Sequence, residues 1–183
     1  MAGDDRRIQA EIGGAARVDP GTGVQRPGYM IRDFTLRPSW GEDLRISSFR
    51  GRSSLVLVFA GPSDAMSSFL SEMAQRSREF SEQETRVVAI LVRARDVRSI
   101  PASNDPPILE LYDETLNVHH LSGATDENMC PIPLVYVTDR FGEIVATYST
   151  PDHALPPKVD EILRMLEFVN HQCPECEPPE WPR

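Results

Sequence analysis

Two stretches dominate the hydrophobic pattern: SSLVLVFA over residues 53–60 and RVVAILV over residues 86–92. Both are near-continuous and rich in β-branched residues. A strand with one wet face alternates apolar and polar positions, so unbroken runs predict parallel strands covered on both faces. Between them Met66, Phe69, Leu70, Met73, Ala74 and Phe80 recur at helical spacing, which predicts a helix over residues 67–80 with one apolar stripe. Strand, helix, strand is a βαβ unit with a right-handed crossover. Residues 108–112 predict a third parallel strand, followed by a short helical segment over residues 114–120 on which His119 and His120 read as surface residues. Residues 134–138 and 143–148 predict strands joined by the turn signal Asp139-Arg140-Phe141-Gly142. Upstream, Asp33-Phe34-Thr35-Leu36 and Leu44-Arg45-Ile46 are short extended pieces on either side of a turn at Gly41. The last helix begins near Pro156-Pro157, where proline suits a first turn. It buries Val159, Ile162, Leu163, Leu166 and Val169, and Pro174 ends it near His171.

Residues 1–29 are polar and aperiodic, with the turn cluster Asp19-Pro20-Gly21-Thr22-Gly23, and read as a flexible arm suited to an oligomer contact. Residues 30–172 form the domain and residues 173–183 a Cys/Pro-rich tail. A chain of 183 residues fits one domain with a tail and can bury a core without staples. The net charge of −9 argues against nucleic acid or an anionic membrane as partner. The apolar stretch over residues 55–60 is far too short to span a bilayer. No basic start precedes an apolar run, and three cysteines do not make a secreted disulfide scaffold. The expectation is a cytoplasmic protein that works without a membrane.

The order of elements, with Asp33-Phe34-Thr35-Leu36, Gly41, Leu44 and Ser48-Phe49-Arg50-Gly51-Arg52 at its opening and the run from Pro133 to Ile144 (PLVYVTDRFGEI) at its close, resembles the alkyl hydroperoxide reductase/thiol-specific antioxidant (redoxin) family over residues 33–170. The resemblance implies an α/β thioredoxin-like fold, a central mixed β-sheet flanked by helices. It also implies a cis peptide bond between Ile132 and Pro133, where the bare sequence reads equally as a trans proline entering a strand.

Members of that family carry a thiol where the first central strand hands over to its helix. Exposed N–H groups and the helix dipole stabilise a thiolate there. Here the segment reads Phe59-Ala60-Gly61-Pro62-Ser63-Asp64-Ala65-Met66-Ser67-Ser68. Counted as in thioredoxin-like members, the usual Cys-x-x-Cys falls on Asp64-Ala65-Met66-Ser67; counted as in peroxiredoxins, the peroxidatic position falls on Ser67 or Ser68. Neither alignment finds sulfur. A serine needs a base to become a nucleophile, and no histidine is near in sequence. Nor can a hydroxyl pass through sulfenic acid and disulfide states. Ser63 or Asp64 reads as a helix cap, and the Asp64 carboxylate fills the anion site a thiolate would use.

The cysteines lie elsewhere: Cys130 just before Pro131-Ile132-Pro133, and Cys173 and Cys176 in the tail motif Cys173-Pro174-Glu175-Cys176. Such a pair is a reversible disulfide, half of a metal site, or inert and merely structural. With Cys130 and His171 it offers four candidate zinc ligands, the only cofactor the sequence suggests. Past the end of a helix the dipole opposes negative charge, so the tail thiols should keep pKa values near the free ~8.5. Two classes of function follow. One is a thiol-dependent oxidoreductase in which Cys173 and Cys176 replace the missing site. The other is a non-catalytic redoxin-fold module that binds a protein partner or a second copy.

Overall fold

A computed structural model of the chain describes residues 23–38, 42–61, 63–92, 107–149 and 156–171. Among them run β1 (Thr35–Pro38), β2 (Leu44–Arg45), a 3-10 turn (Ile46–Phe49), β3 (Ser54–Ala60), α1 (Asp64–Gln75), α2 (Ser77–Glu82), β4 (Thr85–Leu91), β5 (Leu109–Tyr112), α3 (Asn117–Leu121), β6 (Leu134–Thr138), β7 (Ile144–Ser149) and α4 (Val159–Asn170). The strands make one seven-stranded sheet in the order β2-β1-β5-β4-β3-β6-β7. β3 runs parallel to β4 and β4 parallel to β5, while β6, β7, β1 and β2 pair antiparallel with their neighbours. The sheet is mixed, as the pattern predicts.

The unbroken apolar runs have the expected cause. Every residue of β3 is buried, because successive side chains point into two different cores. Val56, Val58 and Ala60 meet Met66, Leu70 and Met73 of α1 and Ile162 and Leu166 of α4 on one face. Leu55, Leu57 and Phe59 meet Ile31, Ile46, Val118 and Tyr136 on the other. Each Val, Leu, Ile, Phe or Met among them contributes roughly 1.5–3 kcal/mol when fully buried.

Two expectations need correction here. The helix read as continuous over residues 67–80 starts earlier and is two helices, with Arg76 between them at φ −100° and ψ 16°. Its guanidinium bonds Glu79 of α2 at 2.7 Å and Asp160 of α4 at 2.6 Å, holding the break while Phe80 still enters the core. Of the arm read over residues 1–29, residues 23–29 are not free of the domain. Gln25 is buried, Gly28 N–H donates to the Ile144 carbonyl, Ile144 N–H to that of Tyr29, and Ile31 N–H to that of Gly142, each at 2.8 Å. Residues 23–31 are therefore part of the folded unit; residues 1–22 and the tail residues 172–183 lie outside the described residues.

Candidate functional site

The handover from β3 to α1 is where a thiol would be expected. Ser63 stands there in extended backbone geometry as the N-cap, its Oγ accepting the Met66 N–H at 3.5 Å. Ser67 Oγ donates to the Ser63 carbonyl at 3.1 Å. Asp64 is exposed in the first turn, beside the positive end of the helix dipole. Both hydroxyls thus bond backbone, and neither bonds a base. Ser68 is exposed. Among the described residues nothing at this helix end is arranged to make an oxygen nucleophile.

Facing it is the loop that carries Cys130. Ile132 N–H donates to the Ala124 carbonyl at 2.9 Å and Thr125 bridges to Pro131, so the loop is a small antiparallel excursion. Asp126 closes its tip by accepting the N–H groups of Asn128 at 2.9 Å and Cys130 at 2.8 Å. The tip also places Met129 at φ 62°. Pro131 packs on the handover: a Cβ at Gly61 would lie 3.0 Å from Pro131 Cβ. Cys130 is a free, exposed thiol one residue away. The loop lies where the resemblance places it, but no described peptide bond is cis, and the Ile132–Pro133 bond is trans. The Ala124–Ile132 and Thr125–Pro131 pairings already deliver an extended chain into β6, and extended geometry with a trans bond is the ordinary preference before proline.

The surface reading of His119 is also overturned. His119 is 0% exposed, its Nδ1 lying 2.8 Å from Asp113 Oδ2, and the same oxygen accepts the His119 backbone N–H at 2.8 Å. Its ring stands edge-on to Phe59 at 5.4 Å, and Phe59 in turn to Tyr136 at 6.0 Å. Tyr136 donates to the Ser122 carbonyl at 2.6 Å and accepts the Gln25 N–H at 2.8 Å, so one polar chain ties α3 to the N-terminal segment. Burial pushes the Tyr136 hydroxyl up to about 12. For Asp113 burial is the largest influence and would raise it, but the bonds from His119 together outweigh it and hold the carboxyl below its ordinary value. His119 Nε2 is buried without a partner. The sequence signal was available: an aspartate directly after a strand and ahead of a short helix can accept from the helix's own backbone.

The four-ligand metal grouping does not assemble. Asn170, next to His171, bonds Gln83 at 2.9 Å and Ser54 at 3.4 Å, at the start of β3. Pro131, next to Cys130, touches Gly61 beyond its end. The seven residues of β3 between them span ~20 Å, whereas zinc ligands lie ~2.0–2.3 Å from the metal. His171 and Cys130 therefore cannot share one ion. His171 Nδ1 instead lies 2.6 Å from the Glu167 carbonyl. Cys173 and Cys176 lie outside the described residues, and among those described no group of three or more His, Cys, Asp or Glu is placed to hold a metal. Nor is any described helix long and apolar enough to cross a membrane.

No protein-family model matches the chain, and no curated protein matches it in sequence. Solved structures do match in fold. The reduced 2-Cys peroxiredoxin of Plasmodium vivax superposes with a TM-score of 0.68 at 16% identity, covering 80% of this chain and 83% of that one. The AhpC of Mycobacterium tuberculosis gives 0.62 at 14% identity, covering 82% and 97%. A protein described as a putative thiol:disulfide interchange protein DsbE, from Chlorobium tepidum, gives 0.60 at 18% identity, covering 80% and 98%. With its mixed seven-stranded sheet and flanking helices, the chain has the thioredoxin-like fold of the peroxiredoxins.

Proposed function

We propose that this chain is a redoxin-family protein that has lost the peroxidatic site and exchanges thiols through Cys173-Pro174-Glu175-Cys176. The observation that carries the reading is the state of the α1 N-terminus, where the Ser63 and Ser67 oxygens are engaged with backbone and no cysteine is present. With the peroxide site silent, the remaining paired thiols are those of the tail. In one turnover a tail thiolate attacks a substrate disulfide, the substrate S–S bond breaks, and one substrate sulfur leaves with the electron pair and takes up a proton. The second tail thiolate then attacks the mixed disulfide. The substrate leaves as a dithiol, and the tail is left as the Cys173–Cys176 disulfide after giving up two electrons. The chemistry needs no cofactor, and a reducing cytoplasm would supply the dithiol form.

The expected result is that Cys173→Ser with Cys176→Ser cuts the thiol released from a small disulfide by the pre-reduced protein to the single equivalent that Cys130 can yield as a mixed disulfide. Ser67→Ala and Ser68→Ala should leave that release unchanged. Ser63→Ala should lower stability by about 1 kcal/mol, as for other lost N-caps, without touching thiol release. A thermal melt together with the release assay checks both.

A second reading, a binding module without turnover, is favoured by one feature. A cleft of about 850 Å³ opens beside the Cys130 loop, with Leu121 53% and Met129 42% exposed at its rim. Its occupant would be a protein segment, from this chain or from a partner.

A further inference from the structure

We propose that the outer edge of β7 docks an extended, basic polypeptide segment of another protein, which adds an antiparallel strand beside Thr147 and Ser149. The proposal rests on the second reading above and names its surface and its occupant. β7 ends the sheet. The Ile144 N–H and C=O point out of the sheet, where they bond Tyr29 and Gly28 at 2.8 Å, and Met30 bridges to Glu143. Ile144, Thr147 and Ser149 stand opposite Thr138, Tyr136 and Leu134, alternate residues of β6, so all three turn their main-chain groups the same way. Residues 28–31 therefore cover the beginning of this edge, and among the described residues no backbone group meets it at Thr147 or Ser149. The strand reads IVATYS, with no charge or proline to blunt the edge. Open N–H and C=O groups on such an edge are a template for another main chain.

The two faces of the edge define the side chains this segment carries. Successive residues of an added strand point to opposite faces, and Thr147 and Ser149 border a cleft on each. The cleft on the α4 side, about 270 Å³, is walled by Pro133, Val135, Tyr148, Pro156 and Pro157, and Glu161 is its one charged lining residue. Burial and then the Glu161 charge push the Tyr148 hydroxyl up to about 12, which places that carboxylate beside the ring. A Lys or Arg opposite Tyr148 lays its stem on the prolines and its charge on Glu161. In the other cleft two arginines and two acids balance, and Val24, Leu121, Met129 and Ile132 receive apolar side chains opposite Thr147 and Ser149. A second copy fits worse. A two-fold β7–β7 ladder would turn both Glu161 carboxylates to one face, between chains that each carry a net charge of −9, with only two open residues on each strand.

The test reads fluorescence anisotropy of labelled, cysteine-free peptides of about eight residues on the full-length chain, so its outcome is independent of thiol exchange. A peptide alternating Lys and Val should bind below ~1 mM, and its Glu–Val counterpart about tenfold more weakly or worse. In an antiparallel ladder the residues opposite Thr147 and Ser149 turn their amides to the edge. N-methylation of the Val amides should therefore weaken binding about tenfold, while N-methylation of the Lys amides should leave it unchanged. Ser149→Pro removes one outward N–H at an edge position that tolerates proline, and should weaken binding about tenfold with the same thermal melt. Glu161→Gln should weaken the Lys–Val peptide about threefold. Failure of both peptides to bind would overturn the proposal. Binding that neither Val N-methylation nor Ser149→Pro weakens would overturn this surface while leaving the binding-module reading in place. Self-association in sedimentation that Ser149→Pro abolishes would also overturn it, by assigning the edge to a second copy.

Discussion

Replacing Gly123 by alanine should destabilise the protein by about 2–4 kcal/mol, lowering Tm by roughly 6–12 °C in a chain of this size. Gly123 has φ +78°, a region that L side chains rarely adopt. An added Cβ would stand 2.4 Å from Val24 N and 2.5 Å from Gly23 C. Those neighbours are backbone, so no rotamer change relieves the overlap and the N-terminal segment must lift. Lifting it loses the Gln25–Tyr136 bond and the 2.9 Å bond from Thr147 Oγ1 to the Gln25 carbonyl. Gly28→Ala is the control, because Gly28 has φ +88° with open space around it. That variant should show the conformational penalty alone, about 1 kcal/mol. Thermal unfolding of the two variants side by side separates overlap from strain.

Asp113→Ala should be at least as damaging, by about 3–5 kcal/mol at neutral pH, because it strands the polar edge of His119 inside the core. Asp113 is 2% exposed and accepts both the Nδ1 and the backbone N–H of His119 through one oxygen. Its carboxyl is held below its ordinary value. A carboxyl depressed on folding stabilises the native state at pH values above the unfolded pKa of ~3.9, and that stabilisation is lost as pH falls through the folded pKa. The difference between wild type and variant should therefore be constant near neutrality and shrink below about pH 4. Urea unfolding at pH 7 and pH 3 measures it.

The central sheet was legible because covering a strand on both faces writes itself directly into composition, as in residues 53–60 and 86–92. The features that escaped were set by partners distant in sequence. The break at Arg76 is spanned by a bond to Asp160, 84 positions away, a partner that no local propensity reports. The burial of His119 depends on Phe59 and Tyr136, brought together only when β3 and β6 pair. The trans bond before Pro133 follows from pairing within the Cys130 loop, which the resemblance did not anticipate. At the candidate site, the absence of cysteine at the handover could be read from the residues alone. The separation of Cys130 from His171 needed the length of β3, and hence the fold.

The most direct test of the account is a single-turnover experiment on pre-reduced, metal-free protein at neutral pH. The protein is given hydrogen peroxide in one arm and a small disulfide in the other, and each cysteine is then mapped by mass spectrometry. The account predicts slow peroxide consumption, rapid release of thiol from the small disulfide, and recovery of Cys173 and Cys176 as an internal disulfide. Fast peroxide consumption that Ser67→Ala or Ser68→Ala abolishes, or release of two equivalents of thiol per chain by the Cys173→Ser, Cys176→Ser variant, would contradict it.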